Sequence, residues 1–117
     1  MAEINVSGPF QGSAASGTPI RTVEAAKTTT GASARYATNV TGNKTVRIEQ
    51  NVTGKNSTFD IYGGFTLTDV GVKLNTSTIT VTSTTPYMGT TPDVLPYIWV
   101  VCNTMDSGGT YNFKVAG

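Results

Sequence analysis

The side chains that most often catalyse reactions or bind metal ions are scarce in this sequence. There is no histidine, and Cys102 is the single cysteine. The usual general base, the serine–histidine triad, the cysteine–histidine pair and most zinc sites are therefore excluded. What remains is a set of seven carboxylates: Glu3, Glu24, Glu49, Asp60, Asp69, Asp93 and Asp106.

A pair of carboxylates across a cleft, as in glycosidases, is the one acid–base arrangement that these residues could still form. Glu49 and Asp60 lie on two strands that we expect to pair. Each, however, neighbours an apolar residue, Ile48 or Ile61, that must face the opposite way. We therefore expect both carboxylates to face solvent, and we predict no catalytic residues and no enzymatic activity.

Metal and cofactor sites are not predicted either. No run of Asp and Asn has the spacing of a calcium loop. Gly63-Gly64 and Gly108-Gly109 lack the following helix that binds phosphate. Cys102 ends the apolar run 97–102, where a buried thiol acts as a small apolar side chain.

The charge pattern excludes further classes of partner. Only 13% of the residues are charged, the net charge is +1, and the basic residues are scattered singly, so no face would neutralise several phosphates of a nucleic acid. No apolar run is long enough to cross a membrane, and the first residues do not resemble a signal peptide. We expect a protein made in the cytoplasm that binds neither nucleic acid nor membrane.

Period-two alternation of apolar and polar residues dominates the chain and predicts β-strands. Three strands are predicted in succession, 34–41, 45–52 and 57–67, with apolar faces made of Tyr36, Thr38 and Val40; Val46, Ile48 and Val52; and Phe59, Ile61, Phe65 and Leu67. Asn- and Gly-containing turns between them predict two hairpins, hence a meander. A short helix over 23–27 is an alternative for the segment before them.

The second half of the chain continues the pattern. Strands are predicted over 78–82, 97–104 and 110–115, the middle one apolar on both faces as in a central strand. Gly63-Gly64 predicts a bulge or a close approach by another backbone. Three prolines predict a long loop over 84–96.

Together these segments predict an all-β fold, an antiparallel two-sheet sandwich of seven to eight short strands in immunoglobulin-like or jelly-roll order. A small closed barrel is the alternative. A chain of this length holds one domain, which we assign to residues 20–117. Residues 1–19, rich in Gly, Ser and Pro, predict an extended N-terminal arm.

Candidate interaction residues are apolar side chains placed where a small domain has little interior for them. In the arm they are Ile4, Val6 and Phe10, and in the 84–96 loop they are Tyr87, Met88, Val94 and Leu95. We expect self-association, as a trimer or dimer, or binding to a lattice. The arm is predicted to clamp a neighbour, although it could instead be idle or form a strand of its own sandwich.

In style, the whole chain resembles the capsid cement or decoration proteins of tailed bacteriophages: it combines a Gly/Ser/Ala-rich arm, a low-charge, Thr-rich β-sandwich and a long loop over 84–96 that carries apolar residues. The resemblance implies a non-enzymatic structural protein on the virion surface that binds and stabilises the shell of major capsid protein. The alternative is a carbohydrate- or surface-binding module of a phage fibre or adhesin, in which exposed aromatic rings stack on sugars. Candidate rings are Trp99, Tyr62, Tyr87, Tyr97 and Tyr111.

Overall fold

The protein is built from antiparallel β-strands, as a computed structural model describes it for residues 20–38, 44–91 and 95–116. The strands are β1 (Ile20–Lys27), β2 (Gly31–Ala32), β3 (Tyr36–Ala37), β4 (Lys44–Gln50), β5 (Asn56–Gly64), β6 (Val72–Lys73), β7 (Ile79–Thr82), β8 (Tyr87–Thr91), β9 (Tyr97–Met105) and β10 (Tyr111–Ala116). Within these ranges no helix is long and apolar enough to span a membrane.

The strands form two sheets, which confirms the predicted two-sheet, all-β fold class. One sheet has the order β1-β10-β4-β8. In the other, β9 and β5 pair at the centre, β2 and β3 pair with the free edge of β9, and β6 and β7 pair with the free edge of β5. The two sheets share no strand pairing in the described residues, so the closed-barrel alternative is not what forms.

The core lies between the sheets and is made of the inward-facing residues of five strands. It consists of Val46, Ile48, Phe59, Ile61, Ile79, Val81, Ile98, Val100, Cys102, Tyr111, Phe113 and Val115. The rings of Phe59 and Tyr111, from opposite sheets, meet edge to face with centroids 4.8 Å apart, a favoured aromatic geometry. The period-two pattern therefore identified most of the buried side chains.

The predicted meander is wrong. Strand β4 pairs with β10 and β8, whereas β5 pairs with β9, β6 and β7, so the turn between β4 and β5 carries the chain from one sheet to the other. Asn51 connects this turn to β10, the strand that pairs with β4. Its Nδ2 donates to Thr110 Oγ1 (3.1 Å) and Asn112 Oδ1 (3.0 Å). Turn residues permit a reversal but do not select the partner strand.

Two further predictions of local structure are wrong. Residues 87–91, predicted as part of a loop, form the edge strand β8, since the neighbouring prolines flank the strand and do not interrupt it. Residues 23–27, for which a short helix was the alternative, belong instead to β1, which pairs with β10 and has two register shifts along that pairing. At one of them Ala26 adopts a positive φ of 50°, and its N–H donates to Asn112 Oδ1 (2.8 Å).

The predicted strand 57–67 is too long, because β5 ends at Gly64. Phe59 and Ile61 are buried as predicted, but Phe65 and Leu67 project from the surface. The register shift in β5 lies at Thr58 and Phe59, not at the glycine pair. Gly63 instead accommodates the side chain of Leu95.

We predict that Phe113→Ala lowers the free energy of unfolding by about 3–5 kcal/mol, because it opens a cavity between the sheets. The measurement is urea denaturation. Thr80→Ala, at an exposed position of β7, is the control and should cost no more than about 0.5 kcal/mol. A loss below about 1 kcal/mol for Phe113→Ala would contradict the assignment of this ring to the core.

Candidate interaction surface

Exposed apolar side chains are concentrated in one loop, residues 65–72, which we call the apolar loop. Phe65 is 70% exposed, Leu67 65%, Val70 88% and Val72 59%. These are four of the six large apolar side chains that are exposed in the described residues; the other two are Ile20 and Met88. The grouping of exposed apolar side chains in one loop makes this loop the candidate interaction site.

Hydrogen bonds within the loop fix its backbone. The carboxylate of Asp69 accepts from the N–H groups of Phe65 (2.9 Å) and Thr66 (3.3 Å). In return, Thr66 Oγ1 accepts from the N–H groups of Thr68 (3.2 Å) and Asp69 (2.9 Å). The two polar side chains thus satisfy four backbone donors that an irregular segment would otherwise leave to water.

Arg35, from the segment between β2 and β3, holds the loop from outside. Its Nη1 donates to the Thr66 carbonyl and to Asp69 Oδ1, both at 2.7 Å, and its Nη2 donates to the Asp69 carbonyl at 2.5 Å. The planar guanidinium presents several donors in one rigid fork, which lysine does not. One side chain thereby fixes both a carboxylate and two backbone carbonyls.

Trp99 forms the floor under this arrangement. It lies on β9 between Ile98 and Val100, so its ring points away from the core, onto the outer face of the sheet, yet it is only 3% exposed. The Arg35 guanidinium carbon lies 3.5 Å from the ring centroid, a cation–π contact, and the neighbouring Tyr62 ring stacks at 5.9 Å. Trp99 is therefore buried, as a strand that is apolar on both faces requires, but it is covered by Arg35 and the loop and does not belong to the inter-sheet core.

Two glycines let the loop approach this floor. A Cβ on Gly64 would lie 2.8 Å from Asp69 Oδ2 and 2.9 Å from Trp99 Cη2. A Cβ on Gly71 would lie 2.7 Å from Trp99 Cζ2 and 2.8 Å from the Gly63 carbonyl, and its φ is +74°. The loop path therefore requires glycine at 71 both for its conformation and for space.

The loop's charge is balanced locally. Hydrogen bonds from the Phe65 N–H, and then from Arg35 and Thr66, lower the pKa of Asp69, although partial desolvation opposes this shift. Asp69 is thus ionised at neutral pH and neutralises Arg35 at an N–O distance of 2.7 Å. The surface that a partner would meet is accordingly apolar without an unpaired charge.

A hollow of about 120 Å³ adjoins the exposed side chains. Its lining includes Gly63, Phe65, Val72 and Leu95. Projecting side chains and a hollow therefore lie side by side on this surface.

Of the residues predicted for interaction, Ile4, Val6, Phe10 and Val94 lie outside the described residues. The three that the structure describes lie in different surroundings. Tyr87 packs against the core, and Leu95 is half-buried over Gly63. Of these three, Met88 alone is exposed, on the outer face of the other sheet.

The remaining candidate groups are dispersed. Glu49 and Asp60 lie in different sheets, because the hairpin expected to join them does not form. Asp60 accepts from Asn75 (2.8 Å) and Asn103 (3.0 Å), and these bonds, the one from Asn75 first, lower its pKa. Of the candidate rings, Tyr111 is fully buried and Trp99 is covered by Arg35, whereas Tyr62, Tyr87 and Tyr97 are half-buried.

Sequence reasoning missed the apolar loop because Phe65 and Leu67 continue the alternation of β5. The signal that could have separated them is Thr66-Leu67-Thr68-Asp69 after Gly63-Gly64, in which Thr and Asp can bond to nearby backbone N–H groups. A comparison of the chain with models of protein families, with curated proteins and with solved structures finds no match.

We predict that Gly71→Ala lowers the free energy of unfolding by about 2 kcal/mol or more, from left-handed strain and from contact with Trp99. Gly54→Ala is the matched control, because Gly54 has a similar φ of +79° but open space around its Cα. Gly71→Ala should also change the emission of Trp99, the only tryptophan, whereas Gly54→Ala should not. Equal costs for the two variants would contradict the close packing.

We also predict that the loop loosens in acid. Because the folded-state pKa of Asp69 lies below its ordinary value of 3.8, its contribution to stability is complete above pH 3.8 and is lost as the pH falls through the lower folded value. In an NMR titration, the amide proton of Phe65 should follow a midpoint below 3.8. A midpoint at or above 3.8, or an unchanged titration in Asp69→Asn, would contradict the assignment.

Proposed function

We propose that this protein is a non-enzymatic structural protein that attaches to a protein lattice through the apolar loop, in the manner of a capsid decoration protein that binds and stabilises the major capsid protein shell. The observation that carries the proposal is the display of Phe65, Leu67, Val70 and Val72 on a backbone that Asp69 and Arg35 hold in place.

The energetic support lies in preorganisation. Association must offset the entropy of ordering the groups that make the interface. Here the loop is already held by seven hydrogen bonds that involve the side chains of Thr66, Asp69 and Arg35, six of them with backbone groups. Burial of the exposed side chains by a partner would therefore contribute to affinity with little further ordering cost.

The character of the surface favours a protein partner that is present in many copies. A low-charge surface can be desolvated without stripping water from ions, and an interface of one small loop is weak by itself. On a lattice, identical weak contacts reinforce one another. Together with the whole-chain resemblance to decoration proteins, this supports a lattice-binding role over a single tight complex.

The carbohydrate-binding alternative has less support. Sugar platforms need exposed aromatic faces, and the guanidinium of Arg35 covers the ring of Trp99. Phe65 is exposed, but the other large exposed side chains of the loop are aliphatic. The carboxylate of Asp69 is already bonded to the N–H groups of Phe65 and Thr66 and to Arg35. We therefore propose a protein and not a glycan as the partner.

We predict that Phe65→Ser combined with Leu67→Ser weakens attachment to purified capsids by about tenfold or more, because both side chains would be central to the buried interface. Co-sedimentation with capsid particles measures the attachment. The free energy of unfolding should change by no more than about 0.5 kcal/mol, since both side chains are exposed in the free protein.

Thr80→Ser, at an exposed position on the same sheet, is the control and should attach as the unaltered chain does. Attachment that survives the double substitution would refute the role of the loop. Quantitative mass spectrometry of purified particles adds an independent check: hundreds of copies per particle agree with a lattice role, whereas a handful point to a fibre or tip.

A further inference from the structure

A second apolar surface lies on the outer face of the four-stranded sheet. It is a groove of about 290 Å³ across all four strands, with Ile20 of β1 at one edge and Met88 of β8 at the other. These two side chains are 68% and 59% exposed. Ala116 and the aliphatic parts of Arg47 and Lys114 contribute to its lining.

The groove carries a local excess of positive charge. Arg47 and Lys114 face each other across the β4–β10 pair, and like charges in that position repel. Glu49 relieves the repulsion: Arg47 Nε donates to its Oε2 at 2.6 Å, and Lys114 Nζ lies 3.1 Å from its Oε1. Two cations share one carboxylate, so a second carboxylate would be attracted here.

The chain itself contains a segment that matches the groove. In residues 1–19, Glu3 is the only charged side chain, and Ile4, Val6 and Phe10 are its large apolar residues after Met1. This segment enters the fold at Ile20, which already lines one edge of the groove. The segment therefore starts its path beside the surface that its side chains fit.

Length and composition allow this segment to turn back. Residues 11–19 separate Phe10 from Ile20 and span up to about 30 Å when extended. They include Gly12, Gly17 and Pro19, residues that favour chain reversal. Because the tether is short, the effective concentration of the segment at the groove is on the order of millimolar. The same segment from a separate chain would need a higher concentration to compete for the groove.

We propose that residues 3–10 bind in the outer-face groove of their own chain. The three apolar side chains of this segment contact Ile20 and Met88, and the carboxylate of Glu3 contacts the cations beside them. This inference goes beyond the proposed function and does not depend on it. It replaces a clamp on a neighbouring subunit with a contact inside one chain.

Binding of this segment removes one of two exposed apolar surfaces from solvent. The apolar loop and the open groove lie on the outer faces of different sheets. Two such surfaces on one molecule invite a head-to-tail contact, which produces open filaments when the rotation does not close. Covering the groove leaves the apolar loop as the surface through which the protein attaches.

The test uses oxidation of methionine by hydrogen peroxide, followed by mass spectrometry of the full chain. In the unaltered protein the segment covers Met88 and slows its oxidation. In the variant Ile4→Ser/Val6→Ser/Phe10→Ser, Met88 should oxidise about fivefold faster or more, because oxidation follows exposure. Met105, half-buried in the other sheet with Gln50 Nε2 3.1 Å from its sulfur, is the internal reference and should not change.

Gln11→Ser is the control within the same segment and should leave Met88 protected. Equal oxidation of Met88 in the unaltered chain and the triple variant would overturn the proposal. So would protection that is lost on dilution, or that excess unaltered protein restores to an isotopically labelled triple variant, since both outcomes assign the segment to another copy. Phe65→Ser/Leu67→Ser should keep Met88 protected, so this proposal and the proposed function can fail independently.

Discussion

The burial of strand β9 on both of its faces is the constraint on which the rest of the structure depends. Ile98, Val100 and Cys102 point inward and complete the core, while Trp99 points outward. An indole ring on an outer face must be covered or remain a large exposed surface. The chain covers it with Arg35 and the apolar loop, so the element that completes the core also provides the base of the candidate interaction surface.

This arrangement exchanges one kind of apolar surface for another. The ring of Trp99 is removed from solvent, and the loop that covers it presents branched and aromatic side chains in its place. The exchange relies on local polar bonds: the arginine fork and the Asp69 carboxylate satisfy backbone groups that the irregular path leaves without strand partners. The apolar side chains stay outside because the polar groups occupy the inside of the loop.

The two outer faces differ in how their charges are arranged. On the six-stranded sheet the Arg35–Asp69 pair is balanced, whereas on the four-stranded sheet Arg47 and Lys114 share Glu49. The bond from Arg47, and then those from Asn112 and Lys114, lower the pKa of Glu49 to about 2, so this carboxylate stays ionised at neutral pH. One face is suited to an apolar partner, and the other to an apolar segment that carries an acidic residue.

The sequence by itself determined which residues face inward along β4, β7 and β10 and in the first part of β5. Alternation of period two identified Val46, Ile48, Phe59, Ile61 and the apolar residues of β7 and β10, because adjacent side chains of a strand must point to opposite faces. The absence of histidine and the low charge were also plain from the sequence. These features are local, so they could be predicted from local pattern.

Only the tertiary structure decided which strands pair and where the alternation stops facing the core. The turn at 51–55 looks like a hairpin but joins two sheets, and residues 87–91 pair with β4 although prolines surround them. Phe65 and Leu67 continue the alternation of β5, yet their side chains are exposed to solvent. The reason is that Arg35 and Trp99, which are distant in sequence, fix the loop that follows Gly64. Strand pairing and loop position depend on contacts between residues far apart in the chain. The local sequence pattern does not predict those contacts.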